Sequence, residues 1–192
     1  LMDEYYCTAV ADLETKAIRT VKDNLKEIAA GEKDACEKLM YALILSGLAM
    51  QMTGNSRPAS GAEHHMVHLW DMEVVNGHLD ALHGEKVSAA TMLVLLEYKK
   101  LADAIRRGAC RVHAFTDGDT ELLQETFGRK GILEALEKEN TPELLDDVST
   151  ETLSGALPEI LKIIDLLPAV TDMQEMMNTA GCVSRVRDIG LP

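Results

Sequence analysis

The chain has 192 residues with a formal net charge of −13, 46% hydrophobic residues and only 4% aromatic residues. This acidic balance excludes a broad nucleic-acid surface, which needs clustered Lys and Arg, and disfavours an anionic membrane. With so few aromatic side chains, the core must be built from aliphatic residues and methionines, which favours packed helices over a β-sandwich. We therefore expect partners among small molecules, metal ions and proteins.

Four cysteines are scattered along the chain without a Cys-x-x-Cys pair, at Cys7, Cys36, Cys110 and Cys182. Together with the absence of a recognisable signal peptide, this spacing leads us to expect reduced thiols and a cytoplasmic protein. The most apolar stretch, residues 39–52, is shorter than the roughly twenty residues that a membrane-spanning helix needs. We expect it to form a helix at the centre of the domain, with Met40, Met50 and Met52 in the core.

Four segments in the first part of the chain carry apolar residues at three- and four-residue steps, the pattern of amphipathic helices. They cover residues 3–30, residues 32–52, a segment that begins after the loop 54–60, and residues 85–107. A glycine follows the first, second and fourth segments, where it commonly ends a helix. The S-x-x-E spacing after the loop predicts a capping box, with Ser60 as N-cap and Glu63 reaching back to it.

The rest of the chain also predicts helices and turns. Shorter helices are expected between residues 117 and 147, and a longer one over residues 150–167, before a final helix and an irregular tail. The predicted N-caps of this part are Asp119, Thr141 and Thr171. No segment predicts a strand. The sequence therefore predicts an all-α helical bundle, with residues 1–192 forming one domain.

Five of the six histidines lie within about thirty residues, directly after the loop 54–60; they are His64, His65, His68, His78 and His83. Neutral imidazole is the commonest ligand of transition metals, and a catalytic metal takes about three protein ligands and an open position. His64 and His68 are four residues apart and share a helix face. His83 can meet His64 only if that helix ends before Gly77 or bends, because a straight helix between positions 64 and 77 would run about 20 Å. No third ligand stands at a useful spacing.

The same segment supports an anion site. The loop supplies Ser56, Arg57 and Ser60, and the first N–H groups of the following helix can also bind an anion. A phosphate or carboxylate there would lie within a turn of His64, which favours an acidic or phosphorylated substrate beside a metal. The alternative is structural, with His64 packed or solvated and the chain acting as an acidic helical interaction module.

The residues of this segment resemble the glycerol-1-phosphate dehydrogenase family. The resemblance rests on Ser-Arg-Pro-Ala-Ser-Gly-Ala-Glu-His at 56–64, on His68, and on Leu-His-Gly at 82–84 followed by Lys86. That family belongs to the superfamily of iron-containing alcohol dehydrogenases, glycerol dehydrogenases and dehydroquinate synthases. The resemblance therefore implies the C-terminal helical domain of that fold, without the N-terminal Rossmann-like domain that binds NAD or NADP.

The resemblance also implies roles for individual residues. His64 and His83 would be ligands of a divalent metal (zinc, nickel or iron), and the family's third ligand, an aspartate, has no counterpart in the chain. His68 would lie near the nicotinamide and the substrate as part of a proton relay. From the chemistry of the loop, the residues that we expect to bind the substrate phosphate are Ser56, Arg57 and Ser60.

The implied reaction is the NAD(P)-linked interconversion of dihydroxyacetone phosphate and sn-glycerol 1-phosphate, with this chain as the metal-binding domain of the parent enzyme. We expect the 192 residues alone to bind metal weakly and to be inactive. The implied partners are a phosphorylated small molecule and the chain's own N-terminal nucleotide-binding domain, with no nucleic acid and no membrane; a homo-oligomer is allowed. The alternatives are a polyol dehydrogenase acting on an unphosphorylated alcohol and the non-catalytic interaction module.

Overall fold

The computed structural model describes residues 6–114, 120–128, 131–139, 141 and 148–192. All regular structure within these ranges is helical, which confirms the predicted all-α fold. The helices are α1 (Thr8–Asp23), α2 (Leu25–Ala29), α3 (Lys33–Thr53), α4 (Ala62–Asp71), α5 (His83–Arg106), α6 (Thr120–Phe127), α7 (Leu133–Glu139), α8 (Thr150–Asp165), α9 (Val170–Ala180) and a 3₁₀ helix at Val186–Ile189.

The first predicted helix is divided in two at Asn24, where the backbone leaves the helical conformation with φ −121° and ψ 20°. The Asn24 side-chain amide donates to the carbonyl of Thr20 at 2.8 Å, and its oxygen accepts from Lys38 Nζ at 2.6 Å. Asparagine side chains compete in this way with the regular helix ladder. The prediction of one continuous helix over residues 3–30 was therefore wrong.

Helix α3 ends as predicted but is not fully buried. Gly54 follows it with φ 71°, a left-handed conformation that glycine adopts without strain, and donates its N–H to the carbonyl of Met50 at 2.9 Å. One face of α3 packs against α1, where Ala42 and Leu45 meet Ala17 in a hydrophobic cluster. The large apolar side chains of α3 that are more than half exposed are Met40, Leu43, Ile44 and Met52. The expectation that Met40 and Met52 belong to the core was wrong, because α1 covers only one side of the helix.

The contacts divide the chain into two compact units. One contains the described residues up to His68, together with Leu79–Leu96 and Pro168–Pro192. The other contains Leu69–His78 and the described residues of Glu97–Leu167. Helices α4 and α5 each contribute residues to both units, so the division does not cut the chain into consecutive pieces. The single domain over residues 1–192 stays a prediction.

Each unit has polar contacts of its own that tie distant parts of the sequence together. In the first, the Ser88 hydroxyl of α5 donates to the carbonyl of Val183 at 2.5 Å. In the second, Lys99 Nζ donates to the carbonyls of Ile164 at 3.2 Å and Leu167 at 2.9 Å, where α8 ends. A lysine at this end satisfies carbonyls that lack helical partners and complements the helix dipole.

The ends of the last helices differ in part from the sequence pattern. Helix α8 begins after Ser149, whose hydroxyl accepts the Thr152 N–H at 3.0 Å. Helix α9 begins at Val170, with Ala169 as its N-cap and no side-chain cap bond, so the predicted cap at Thr171 was wrong. The predicted caps at Asp119 and at Thr141-Pro142 fall on or next to positions outside the described residues. Among the described helices, none is long and apolar enough to cross a membrane.

Candidate metal centre

The site is built where helix α4 turns back towards α5. Helix α4 ends at Asp71, well before Gly77, and α5 begins at His83 itself. We expected His64 and His83 to meet only if this helix ended before Gly77 or bent. The early end of α4 confirms that expectation. Their ring centres lie 5.7 Å apart with the ring planes tilted by 50°.

This separation of His64 and His83 fits two ligands of one ion. Zinc–nitrogen bonds are about 2.0–2.1 Å long, which places a bound ion roughly 3.2 Å from each ring centre. Two imidazoles on a tetrahedral ion then have ring centres roughly 5.2 Å apart, and about 6.4 Å is the limit for rings on opposite sides. The 5.7 Å separation lies inside this range. The rings of His68 and His83 are 6.5 Å apart, which is too far for both to bind one ion in this arrangement.

The described residues do not complete the site. Within them, no group of three or more His, Cys, Asp or Glu side chains is arranged to hold a metal ion. A catalytic zinc takes about three protein ligands, so the pair His64 and His83 alone would not complete such a set.

Glu63 links the start of α4 to the first of these histidines. Its Oε1 accepts the backbone N–H of Gly61 at 2.8 Å and lies 2.9 Å from His64 Nδ1. The helix begins at Ala62, so the residue before it is Gly61, and the predicted N-cap at Ser60 was wrong by one position. Burial raises the pKa of the Glu63 carboxyl, but the hydrogen bonds to His64 and to Gly61 outweigh it, so its pKa is lowered overall.

The loop that precedes α4 is a tight turn. The Ser56 carbonyl accepts the N–H groups of Ala59 at 3.0 Å and Ser60 at 2.9 Å, and the Arg57 N–H donates to Asn55 Oδ1 at 3.1 Å. Ser56 and Arg57 are exposed and Ser60 is half-buried. Because the N–H of Gly61 already binds Glu63, an anion here would depend mainly on the Arg57 guanidinium and the serine hydroxyls. Phosphate binding by this loop stays a prediction.

His64 is partly buried, whereas His83 and the remaining histidines lie at the surface. His65 and His113 are exposed, and His78 is exposed and pairs with Glu73, with His78 Nδ1 at 2.9 Å from Glu73 Oε1. His68 is also exposed, on α4 with its ring near that of His83. An exposed imidazole beside the ligand pair is able to exchange protons with solvent, and the relay role of His68 stays a prediction.

Lys86 is a residue of this region to which the sequence pattern gave no role. It is buried, with 9% of its surface exposed, and lies three residues after His83, so both project from one side of α5. Buried lysines are rare, which makes the position a candidate for function. The sequence signal was present: Lys86 precedes a stretch, residues 87–96, that contains no charged residue.

Several proteins with a curated name are similar in sequence to this chain. A protein of Halalkalibacterium halodurans is 32% identical over 192 residues, which is all of this chain and 40% of the relative. One of Geobacillus stearothermophilus is 28% identical over the same span, and one of Thermococcus kodakarensis is 32% identical over 129 residues, 65% of this chain and 36% of the relative. All three are named glycerol-1-phosphate dehydrogenase [NAD(P)+].

No family model and no solved structure matches the chain. The chain spans about two fifths of the length of the first two relatives, and the match to each of them extends over all of its residues. The resemblance that the histidine segment indicated is therefore confirmed: over its whole length, the chain is similar to proteins named glycerol-1-phosphate dehydrogenase [NAD(P)+].

Proposed function

We propose that this chain supplies metal-binding histidines to a metal-dependent, NAD(P)-linked oxidoreductase that interconverts dihydroxyacetone phosphate and sn-glycerol 1-phosphate. The observation that carries the proposal is the approach of His64 and His83, from two different helices, to 5.7 Å between ring centres. The names of the relatives support the reaction. The approach also argues against a purely structural module, in which the two imidazoles have no reason to converge.

The two histidines are held on packed helices, as ligands need to be. Val67, which lies between His64 and His68 in the sequence of α4, is fully buried. Ala89 and Ala90 of α5 are also buried. A divalent ion such as zinc, nickel or iron, when bound by His64 and His83, would polarise the oxygen at the reacting carbon. The exposed His68 would move a proton between substrate and solvent.

The loop before α4 would select the substrate. The Arg57 guanidinium can bind a phosphate through two parallel hydrogen bonds, and the hydroxyls of Ser56 and Ser60 can donate to the same group. These donors favour the phosphorylated ketone over a free polyol. A polyol dehydrogenase is the second enzymatic candidate, since the same histidine pair would serve it.

The first test is zinc binding by the 192-residue chain, measured by calorimetry. We expect His64→Ala and His83→Ala each to lower the affinity about a hundredfold, because each removes a ligand. His78→Ala is the matched control and should leave the affinity unchanged. Unchanged binding in both of the first two variants would contradict the assignment of the ligands.

The reaction is tested in a chimera in which residues 1–192 replace the matching segment of the Halalkalibacterium halodurans relative. After loading with zinc or nickel, NADH and NADPH oxidation is followed with dihydroxyacetone phosphate and with dihydroxyacetone. Turnover with the phosphorylated ketone alone is the expected result, and equal turnover with both would favour the polyol dehydrogenase. A folded, metal-loaded chimera without turnover, beside an active unmodified relative, would contradict the proposal.

A further inference from the structure

We infer that Glu63 is a positioning residue for His64: its carboxylate accepts a hydrogen bond from Nδ1–H of the imidazole and so leaves the lone pair of Nε2 available to bind a metal. This inference rests on the proposed function, because a metal bound by His64 is what the arrangement would serve. It adds a residue that neither the motif nor the names of the relatives assign.

The hydrogen bond determines which imidazole nitrogen carries the proton. Glu63 Oε1 lies 2.9 Å from His64 Nδ1. An ionised carboxylate only accepts hydrogen bonds, so a neutral His64 must carry its proton on Nδ1 to make this contact. The lone pair is then on Nε2, at the other side of the ring. Metal-binding histidines commonly have such a carboxylate behind them, which fixes the tautomer and the ring orientation.

The carboxylate is itself held in place. The Gly61 N–H donates to the same oxygen of Glu63 at 2.8 Å, which ties the side chain to the start of α4. The side chains of His64 and Glu63 are only 24% and 22% exposed, so water competes little for the contact. Glu63 is thus hydrogen-bonded to both Gly61 and His64 and partly shielded from water, as a group that orients another side chain must be.

A side chain at position 61 would meet the Glu63 carboxylate. A Cβ atom at Gly61 would lie 2.8 Å from Glu63 Oε2, closer than real contacts allow, so any larger residue there displaces the carboxylate. Gly61→Ala therefore keeps the negative charge and moves it. This variant separates the position of the carboxylate from its charge.

The direct test reads the tautomer of His64 in the metal-free chain by long-range ¹H–¹⁵N NMR, at about pH 8 where imidazoles are neutral. We expect the proton on Nδ1 in the unchanged chain, and a shift towards Nε2 in Glu63→Ala. Glu73→Ala, which removes the carboxylate that pairs with His78, is the matched control and should leave the His64 signals unchanged. A proton on Nε2 of His64 in the unchanged chain would overturn the inference.

Zinc titration of the same variants tests the consequence. We expect Glu63→Ala to lower the affinity about tenfold, the lower end of the effect seen for carboxylates behind metal-bound histidines, and Gly61→Ala to lower it by less. If His64→Ala weakens zinc binding while neither Glu63→Ala nor Gly61→Ala changes it, the inference fails and the proposed function stands. If His64→Ala has no effect, the proposed metal site fails and the inference fails with it. Should Glu63→Ala not fold, Gly61→Ala carries both measurements.

Discussion

Two glutamate–histidine pairs in this molecule have the same atoms at the same distance but different surroundings. His64 Nδ1 and His78 Nδ1 each lie 2.9 Å from a carboxylate oxygen, of Glu63 and Glu73 respectively. The first pair is 24% and 22% exposed and lies on a helix, whereas the second is 79% and 38% exposed in the turn after α4. Only the histidine of the first pair has another imidazole, His83, within 6 Å among the ring contacts of the described residues.

The difference shows that the pair alone does not make a site. An exposed ion pair is worth about 0–1 kcal/mol, because water and salt screen it and ordering the side chains costs entropy. Shielding from water, a fixed helix and a second imidazole nearby are what distinguish His64 from His78.

The largest effect is expected from the two proposed ligands together. Alone, His64→Ala and His83→Ala should each weaken zinc binding about a hundredfold, which is about 2.7 kcal/mol. Because both would act on one ion, the double variant should be only slightly weaker than either single variant, so the two losses are not additive. Calorimetry of the four proteins measures this coupling. Losses that add fully would place the two histidines on separate ions.

Combining His78→Ala with His83→Ala gives the matched double-mutant cycle for His78, the histidine of the exposed Glu73–His78 pair. Since His78 is not expected to bind the ion, this double variant should behave like His83→Ala alone. Any coupling between these two positions would contradict the distinction between the two pairs.

The sequence predicted which two histidines approach each other better than it predicted where the helix between them ends. His64 and His83 could be named from residue type and spacing, and so could the need for an early helix end. No glycine marks the end of helix α4 in the sequence. Glu73, which follows the last turn of α4, adopts a positive φ of 54°, whereas Gly77 does not. A non-glycine residue in this conformation is uncommon, so a reading based on glycines places the end of α4 too late.

The same limit applies to the fold. Periodicity finds a helix wherever apolar residues recur, but α3 is apolar on nearly all sides between residues 39 and 52, so the pattern does not say which face packs. Packing against α1 buries Ala42 and Leu45 and leaves Leu43 and Ile44 exposed. The break at Asn24 was missed for another reason: it comes from the Asn24 side chain, which bonds to the Thr20 carbonyl and to Lys38, and apolar periodicity does not detect such contacts.

The second-largest effect is expected from the packing of helix α4, which carries His64. Val67 of α4 is fully buried, and Val67→Ala should lower the free energy of unfolding by about 2 kcal/mol, through lost burial and the cavity left behind. Val75 lies between Glu73 and His78 and is 59% exposed, so Val75→Ala should change stability by less than about 0.5 kcal/mol. Urea unfolding of both variants makes the comparison. Equal losses would mean that α4 is no better packed than the turn beside His78.

The smallest effect is expected from substitutions of Gly61 and Gly77, the glycines next to the two glutamate–histidine pairs. A Cβ at Gly61 meets the Glu63 carboxylate at 2.8 Å, whereas a Cβ at Gly77 meets nothing within 4 Å. Gly61→Ala should therefore lower the free energy of unfolding by about 1 kcal/mol, since the displaced carboxylate loses hydrogen bonds to Gly61 and His64. Gly77→Ala should raise it by roughly 0.5 kcal/mol, because alanine restricts the unfolded chain and fits the native backbone. Opposite signs in urea unfolding would locate the constraint at the Glu63 carboxylate, whereas a gain in both variants would mean that Glu63 adapts freely and orients nothing.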